Sequence, residues 1–220
     1  MHIKLVMPVP SQLPLLLQIE QGAWGGGGDL NASADKIAGR LRSFPEGVTL
    51  AVTHEIEPVG SQYAFRFHWD GLPDSLKSWE EHTSHGWTER MHQPDGKTGF
   101  LVGVGVLPKW RGVLFEHDRR WSGRFKASEF LIAVTLENLL TLGVERVIGN
   151  ARVPGYHQHS ELGVEEYCRF RRPDGKLADP VLRFHERMGA RILKPVPYSM
   201  KDPESLNAGC WVVYERRFEG

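Results

Sequence analysis

The chain of 220 residues is short of several things at once. It has only two cysteines, Cys168 and Cys210. Two thiols cannot build a disulfide framework, so both are expected reduced and buried. It has no net charge, because 27 Lys and Arg balance 27 Asp and Glu. That argues against a general nucleic-acid or anionic-membrane surface and confines any anion site to a local cluster. No run reaches the roughly 18 apolar residues of a membrane span. The opening MHIKLVMPVP meets Pro8 and Pro10 before any long apolar run, which is not a signal-peptide pattern. A cytoplasmic protein with no nucleic-acid or membrane partner is expected. Gly103, Gly105 and Gly112 do not compose a G-x-G-x-x-G, and no repeating βαβ pattern is present, which disfavours dinucleotide binding. Low complexity is limited to Gly25-Gly26-Gly27-Gly28, which cannot hold a helix.

What is present is an alternation of strand and helix signals. His2 to Met7 reads as a strand. Ser11 is placed to cap a helix through Leu15, Leu16, Leu17 and Ile19, with Pro14 in its first turn. Ser33 caps a second, carrying Ile37, Leu41 and Phe44 on one face. Val48 to His54 and Ser61 to Trp69 read as strands, the latter with Tyr63, Phe65, Phe67 and Trp69 on one face. Residues 70–97 form a long polar segment with a short helix near Ser75 to His82. Phe100 to Leu107 is the most apolar strand, with Gly103 and Gly105 in its middle marking a bulge or a close backbone approach. A basic segment leads to an apolar helix, Ala127 to Leu142, closed by Gly143. Arg146 to Ala151 is the next strand, and a short helix lies near Val164 to Arg171. Asp179 and Pro180 open a helix that stops at Gly189. Two strands follow, Ala190 to Val196 and Cys210 to Arg216. The order is β-α-α-β-β-β-α-β-α-β-β, an α/β (α+β) chain read as one domain over 1–220, with insertions near 70–97, 113–122 and 154–178.

Between the apolar strand and the long helix lie Lys109, Arg111, Arg119, Arg120, Arg124 and Lys126, six cations in eighteen residues. A strand-to-helix turn also aims backbone N–H groups and the positive end of a helix at one point, which suits phosphate oxygens.

Four segments resemble the GCN5-related N-acetyltransferase (GNAT) family. They are Ala23-Trp24 with Ala32-Ser33-Ala34, then Phe44-Pro45-Glu46-Gly47, then Val104 to Gly112, and Asp179 to Ala190. The resemblance implies the GNAT fold, a mixed, mostly antiparallel sheet splayed between its fourth and fifth strands and flanked by helices. It implies an acyltransferase that moves an acetyl or similar group from acyl-coenzyme A (acetyl-CoA or a relative) to an amine by direct attack. By the same resemblance, Val104 and Val106 present backbone groups to the pantetheine arm. Arg111, Gly112, Arg120, Gly123, Arg124, Phe125, Lys126, Ala127 and Ser128 surround the pyrophosphate. The family's glycine-rich loop is interrupted here. Arg111-Gly112 starts it, Val113 to Arg119 follows without glycine, and Phe125 stands where a small residue is expected.

His185 occupies the late-helix position at which many family members carry a tyrosine that protonates the leaving thiolate. An unperturbed imidazole, with a pKa of about 6.5, suits that role near neutral pH. Trp24, Arg152 and Tyr156 are candidates for the substrate mouth. Glu80, Glu81, His82 and His85 are weaker candidates for a base. His157 and His159 have no third ligand at metal spacing, so no metal is expected. The sequence is similar, around Trp24 and His185, to GNAT domains of polyketide synthase loading modules and to those linked to carbon-nitrogen hydrolases. That likeness implies two alternatives: S-acyl transfer to a carrier-protein thiol, or malonyl-CoA decarboxylation. The loading-module domains pair their His with a Thr on the fifth strand, where Gly149-Asn150-Ala151-Arg152 stands here. A third reading is a catalytically silent GNAT-fold binding module. The acceptor is a small-molecule amine or a carrier protein, and the sequence does not choose between them.

Overall fold

The structure is a computed structural model that describes residues 1–24, 31–117 and 122–215. The quadruple glycine, Arg119, Arg120 and Arg216 lie outside the described residues.

Among the described residues, nine strands form one sheet: β1 (His2–Val6), β2 (Val48–Val52), β3 (Pro58–Phe67), β4 (Thr98–Val106), β5 (Leu114–His117), β6 (Arg124–Lys126), β7 (Arg146–Arg152), β8 (Arg191–Val196) and β9 (Gly209–Glu215). Their order across the sheet is β6-β5-β1-β2-β3-β4-β7-β9-β8. Only β1–β5 and β4–β7 are parallel, and the other neighbours are antiparallel. The helices are α1 (Leu13–Ala23), α2 (Ala34–Ser43), α3 (Trp79–His82), α4 (Ala127–Thr141), α5 (Val164–Arg169) and α6 (Pro180–Arg187). Among the described residues, no helix is long and apolar enough to cross a membrane.

Side-chain caps open three of the six helices among the described residues, α2, α3 and α6. Ser33 accepts from Lys36 N, and Asp179 accepts from both Val181 N and Leu182 N. Ser11 does not cap α1. It lies inside a 3-10 turn, Pro10–Gln12, and α1 begins at Leu13 with Pro14 in its first turn, where a missing N–H costs nothing. β3 starts earlier than its alternation suggests, at Pro58. It ends at Phe67, because the Trp69 indole turns back to Leu72 O and Ser75 Oγ.

β2 is buried along its whole length, as befits a strand covered on both faces. A methyl group built on Gly60 would point at Leu131 of α4, whereas one on Gly105 would point at Ile19 and Ala23 of α1. Helices α1 and α4 therefore cover opposite faces of the sheet.

Two irregularities make room for a site. β3 and β4 slip register at Tyr63↔Gly103 and Ala64↔Leu101, leaving Val102 as an extra, bulged residue. β4 and β7 pair only from Thr98↔Arg146 to Leu101↔Gly149. Beyond that point β4 stays with β3 as far as Val106, and β7 stays with β9 as far as Arg152. The sheet thus opens into a V with β4 on one arm and β7 on the other.

Candidate active site

The V opens into a cavity of about 390 Å³. Its walls come from α1, α2, the bulged part of β4, the end of β7, the start of α6 and the loop after α3. A second recess of about 230 Å³ lies where β4 leads toward α4. The two share Trp24, Val104, Gly105 and Ser128, so they form adjoining parts of one channel.

Trp24 sits at the junction because α1 ends there. Its indole lies against β4, 3.6 Å from where a Cβ on Gly105 would stand and 3.8 Å from one on Gly103. The close approach expected at these glycines is therefore made by the protein's own tryptophan. Trp79 donates from its indole to Val102 O at 3.0 Å and steadies the bulge.

The second recess gathers much of the expected phosphate site. Val104, Val106, Arg111, Gly112, Lys126, Ala127 and Ser128 all line it. Arg111 is partly committed, donating to Ala23 O at 2.7 Å and Val106 O at 3.2 Å, which ties the end of α1 to β4. The structure does not bring Gly123, Arg124 or Phe125 to this recess. The interruption after Gly112 is a hairpin, β5 and β6, that extends the sheet beside β1. Arg124 consequently faces Glu116 at 3.7 Å, and the Phe125 ring rests on Phe130 at 5.5 Å. Arg120 lies outside the described residues.

His185 lines the main cavity and is itself buried. Its Nδ1 is 2.6 Å from the Tyr214 hydroxyl on β9. Burial depresses the imidazole pKa to about 4, so the ring is neutral at pH 7. The cationic acid expected from an unperturbed histidine is not what this environment holds. When the Tyr214 hydroxyl donates to Nδ1, Nε2 carries the hydrogen as a donor. Burial also pushes the Tyr214 hydroxyl up, so it stays protonated.

Arg152 reaches the cavity, but its charge is spent. It donates twice to Asp202, both at 2.7 Å, and once to Glu204 at 2.9 Å, while lying over the Trp24 ring. Tyr156 lines neither recess, because its hydroxyl donates to Leu162 O and its ring packs on Tyr167. Of the loop candidates, Glu80 and His85 line the cavity. Glu81 caps α3, and His82 packs among Phe67, Phe100 and Trp211.

The structure adds residues that the sequence reading passed over. Glu20 of α1, Arg40 of α2, and Gln62 and Tyr63 of β3 line the cavity and are buried. Glu20 accepts from Ala32 N at 2.8 Å, and burial raises its pKa. A charged residue on an apolar stripe was the available signal: Glu20 follows Leu16 by four residues, and Arg40 sits between Ile37 and Phe44.

A sheet opened between a fourth and a fifth core strand, with a basic turn leading into a long helix, has close structural counterparts. The chain superposes on the loading GNATL domain of CurA from Lyngbya majuscula with a TM-score of 0.79, at 25% identity over 98% of each chain. The fold is that of the GNAT family. A GNAT-like decarboxylase, GphF, solved with isobutyryl-CoA, superposes with a TM-score of 0.71, at 27% identity over 99% of this chain and all of the other. In sequence, the chain is 27% identical over 188 residues to the uncharacterized N-acetyltransferase YkwB of Bacillus subtilis, 84% of this chain and 76% of that protein. It is 26% identical to the probable hydrolase YhcX of the same organism, but spans only 30% of that protein's length. No family model matches the chain.

Proposed function

We propose that the protein is an acyltransferase that takes its acyl group from acyl-coenzyme A and passes it to an amine. The observation that carries this reading is the channel at the split sheet. One end is basic and lies at the start of α4. The other is a larger cavity with a buried histidine. Lys126, Gly112 and the first turn of α4 suit the phosphates of coenzyme A, and the arm of β4 not paired to β7 suits the pantetheine amides. The free amine attacks the thioester carbonyl carbon, the C–S bond breaks, and coenzyme A leaves as a thiolate that becomes the thiol by taking up the proton the newly bonded nitrogen sheds. His185 donates a hydrogen bond, from a neutral ring, to the oxygen or sulfur on which negative charge develops. Glu20, a carboxylate held in the cavity with a raised pKa, takes the proton from the acceptor ammonium.

A second reading is S-acyl transfer to a carrier-protein thiol, or decarboxylation of malonyl-CoA. It is supported by two whole-chain neighbours, a loading domain and a decarboxylase. Asn150, in the β7 segment where the loading-module domains carry their threonine, lines the cavity and has an Nδ2 without a hydrogen-bond partner.

Titration with coenzyme A at low and moderate salt tests both enzyme readings. Micromolar, salt-sensitive binding is expected. No binding up to millimolar concentration would leave only the non-catalytic binding module.

A further inference from the structure

Arg40 is a buried charge without a counter-charge in contact. It is 5% exposed, on the inward face of α2. Its guanidinium lies 4.6 Å over the Tyr63 ring, and Nη2 donates to Gly86 O at 3.2 Å. Nε has no hydrogen-bond partner. Among the described residues, no carboxylate comes within 4 Å of it. Burial pulls its pKa down, against the attraction of Tyr63 and Glu20, yet an arginine keeps its charge at neutral pH. A guanidinium taken out of water is costly unless an anion meets it.

The surroundings are built for a ligand rather than for a core. Arg40, Gln62 and Tyr63 all line the main cavity, and Gln62, fully buried, leaves its Oε1 without a partner. Arg152, the other guanidinium on the cavity wall, is already neutralised by Asp202 and Glu204. The wall under Arg40 is the turn Ser84-His85-Gly86, three successive residues with positive φ. That turn aims the Gly86 carbonyl at Arg40 and leaves the remaining donors of the fork uncommitted to it. Tyr63 pairs with Gly103 at the mouth of the split, so the guanidinium over its ring belongs to the same chamber as the bulge of β4.

We propose that Arg40 forms a carboxylate subsite in the inner half of this cavity, and that the molecule processed there carries a free carboxylate. The proposal rests on the acyltransferase reading of the channel and names the substrate class that the chamber selects. A carboxylate could arrive on the acceptor, as in an amino acid, or on the acyl group, as in the thioester of a dicarboxylic acid. Both would offer the planar, two-oxygen anion that a guanidinium fork recognises.

The two sources are separable on the intact chain. In one arm, coenzyme A release from acetyl-CoA is followed with α-amino acids paired with their α-carboxamides, alanine with alaninamide and phenylalanine with phenylalaninamide. In the other, the affinity for succinyl-CoA is compared with that for butyryl-CoA. In at least one arm the wild type is expected to favour the acid by about tenfold or more, the strength of a charge-assisted hydrogen bond. Arg40→Met should abolish that preference and Arg40→Lys should keep part of it. Both variants should retain wild-type affinity for coenzyme A itself, which also shows that they fold. A preference in the first arm assigns the carboxylate to the acceptor, and one in the second assigns it to the acyl group. No preference in either arm, or one that survives in Arg40→Met, overturns the proposal. Failure of the wild type to bind coenzyme A instead removes the acyltransferase reading on which it stands.

Discussion

His185 and Tyr214 form a buried pair, with imidazole Nδ1 and phenol oxygen 2.6 Å apart across α6 and β9. The pair sets what the histidine can do. A hydroxyl that donates to Nδ1 leaves Nε2 as the donor, with no charge on the ring. Replacing Tyr214 by Phe removes that constraint and keeps the volume. The expected result is a fall in kcat of about five- to tenfold with unchanged affinity for coenzyme A, since one hydrogen bond is worth about 1 kcal/mol. His185→Ala should lose more. Full turnover in His185→Ala would remove the residue from the mechanism.

The depressed pKa of His185 has a thermodynamic consequence. The unfolded chain accepts a proton on this ring below about pH 6.5, whereas the folded ring resists it down to about pH 4. More protons are then bound by the unfolded state across that window, so stability falls as the pH drops through it. Urea unfolding of the wild type at pH 7.5 and pH 4.5, compared with His185→Gln, should show an excess loss of about 2–3 kcal/mol in the wild type. Equal losses in the two proteins would mean that the ring is accessible to protons when folded.

The sequence showed the scaffold more readily than the chamber. The strand and helix order was legible because apolar periodicity and caps such as Ser33 and Asp179 are local signals. The recess at α4 was legible in part. Lys126, Ala127 and Ser128 follow from the helix start, but β5 and β6 are a short, polar hairpin with no strong alternation, so nothing in the sequence shows that Arg124 and Phe125 lie away from the recess. Register was hidden altogether. The slip that leaves Val102 as a bulge and the end of β4–β7 pairing at Leu101 come from tertiary packing, not from any local residue pattern. The burial that depresses His185 was hidden for the same reason, because it is set by residues as remote as Tyr214. Arg40 was visible in principle, as the charge on an apolar stripe.

Arg152 and Asp202 supply a test of the rim of the site. Asp202 is almost wholly buried and is held by both donors of the Arg152 fork. Burial pushes the Asp202 carboxyl up, but the hydrogen bonds and charge of Arg152 and the Ser205 hydroxyl outweigh it and hold its pKa below the usual carboxylate value. Arg152→Met should therefore cost about 3 kcal/mol in chemical denaturation, since it strands a buried charge. Arg152→Met combined with Asp202→Asn should recover part of that loss. A cost within 0.5 kcal/mol of zero would class the pair with ordinary surface ion pairs.

Gly105 tests the channel itself. A Cβ there would stand 3.1 Å from Ala23 Cβ and 3.6 Å from both Ile19 Cγ2 and the Trp24 indole nitrogen. The first of these contacts is tighter than side chains normally make, and α1 is fixed against β4 by Arg111, which holds Ala23 O from the β4 side. Gly105→Val must then push either the end of α1 or the indole outward. Overpacking of this kind costs about 1–3 kcal/mol of stability. Because Trp24 and Gly105 line both recesses, the displaced indole should also narrow the passage between them. The expected outcome is a folded protein with a lowered Tm and coenzyme A affinity reduced by about tenfold or more, the loss of roughly one well-made contact. Gly105→Ala should lie between the wild type and Gly105→Val, because its single methyl has one tight contact, 3.1 Å to Ala23, and two of ordinary length. If Gly105→Val binds coenzyme A as tightly as the wild type, the cofactor does not thread past Trp24. The split between β4 and β7 would then serve the acceptor alone.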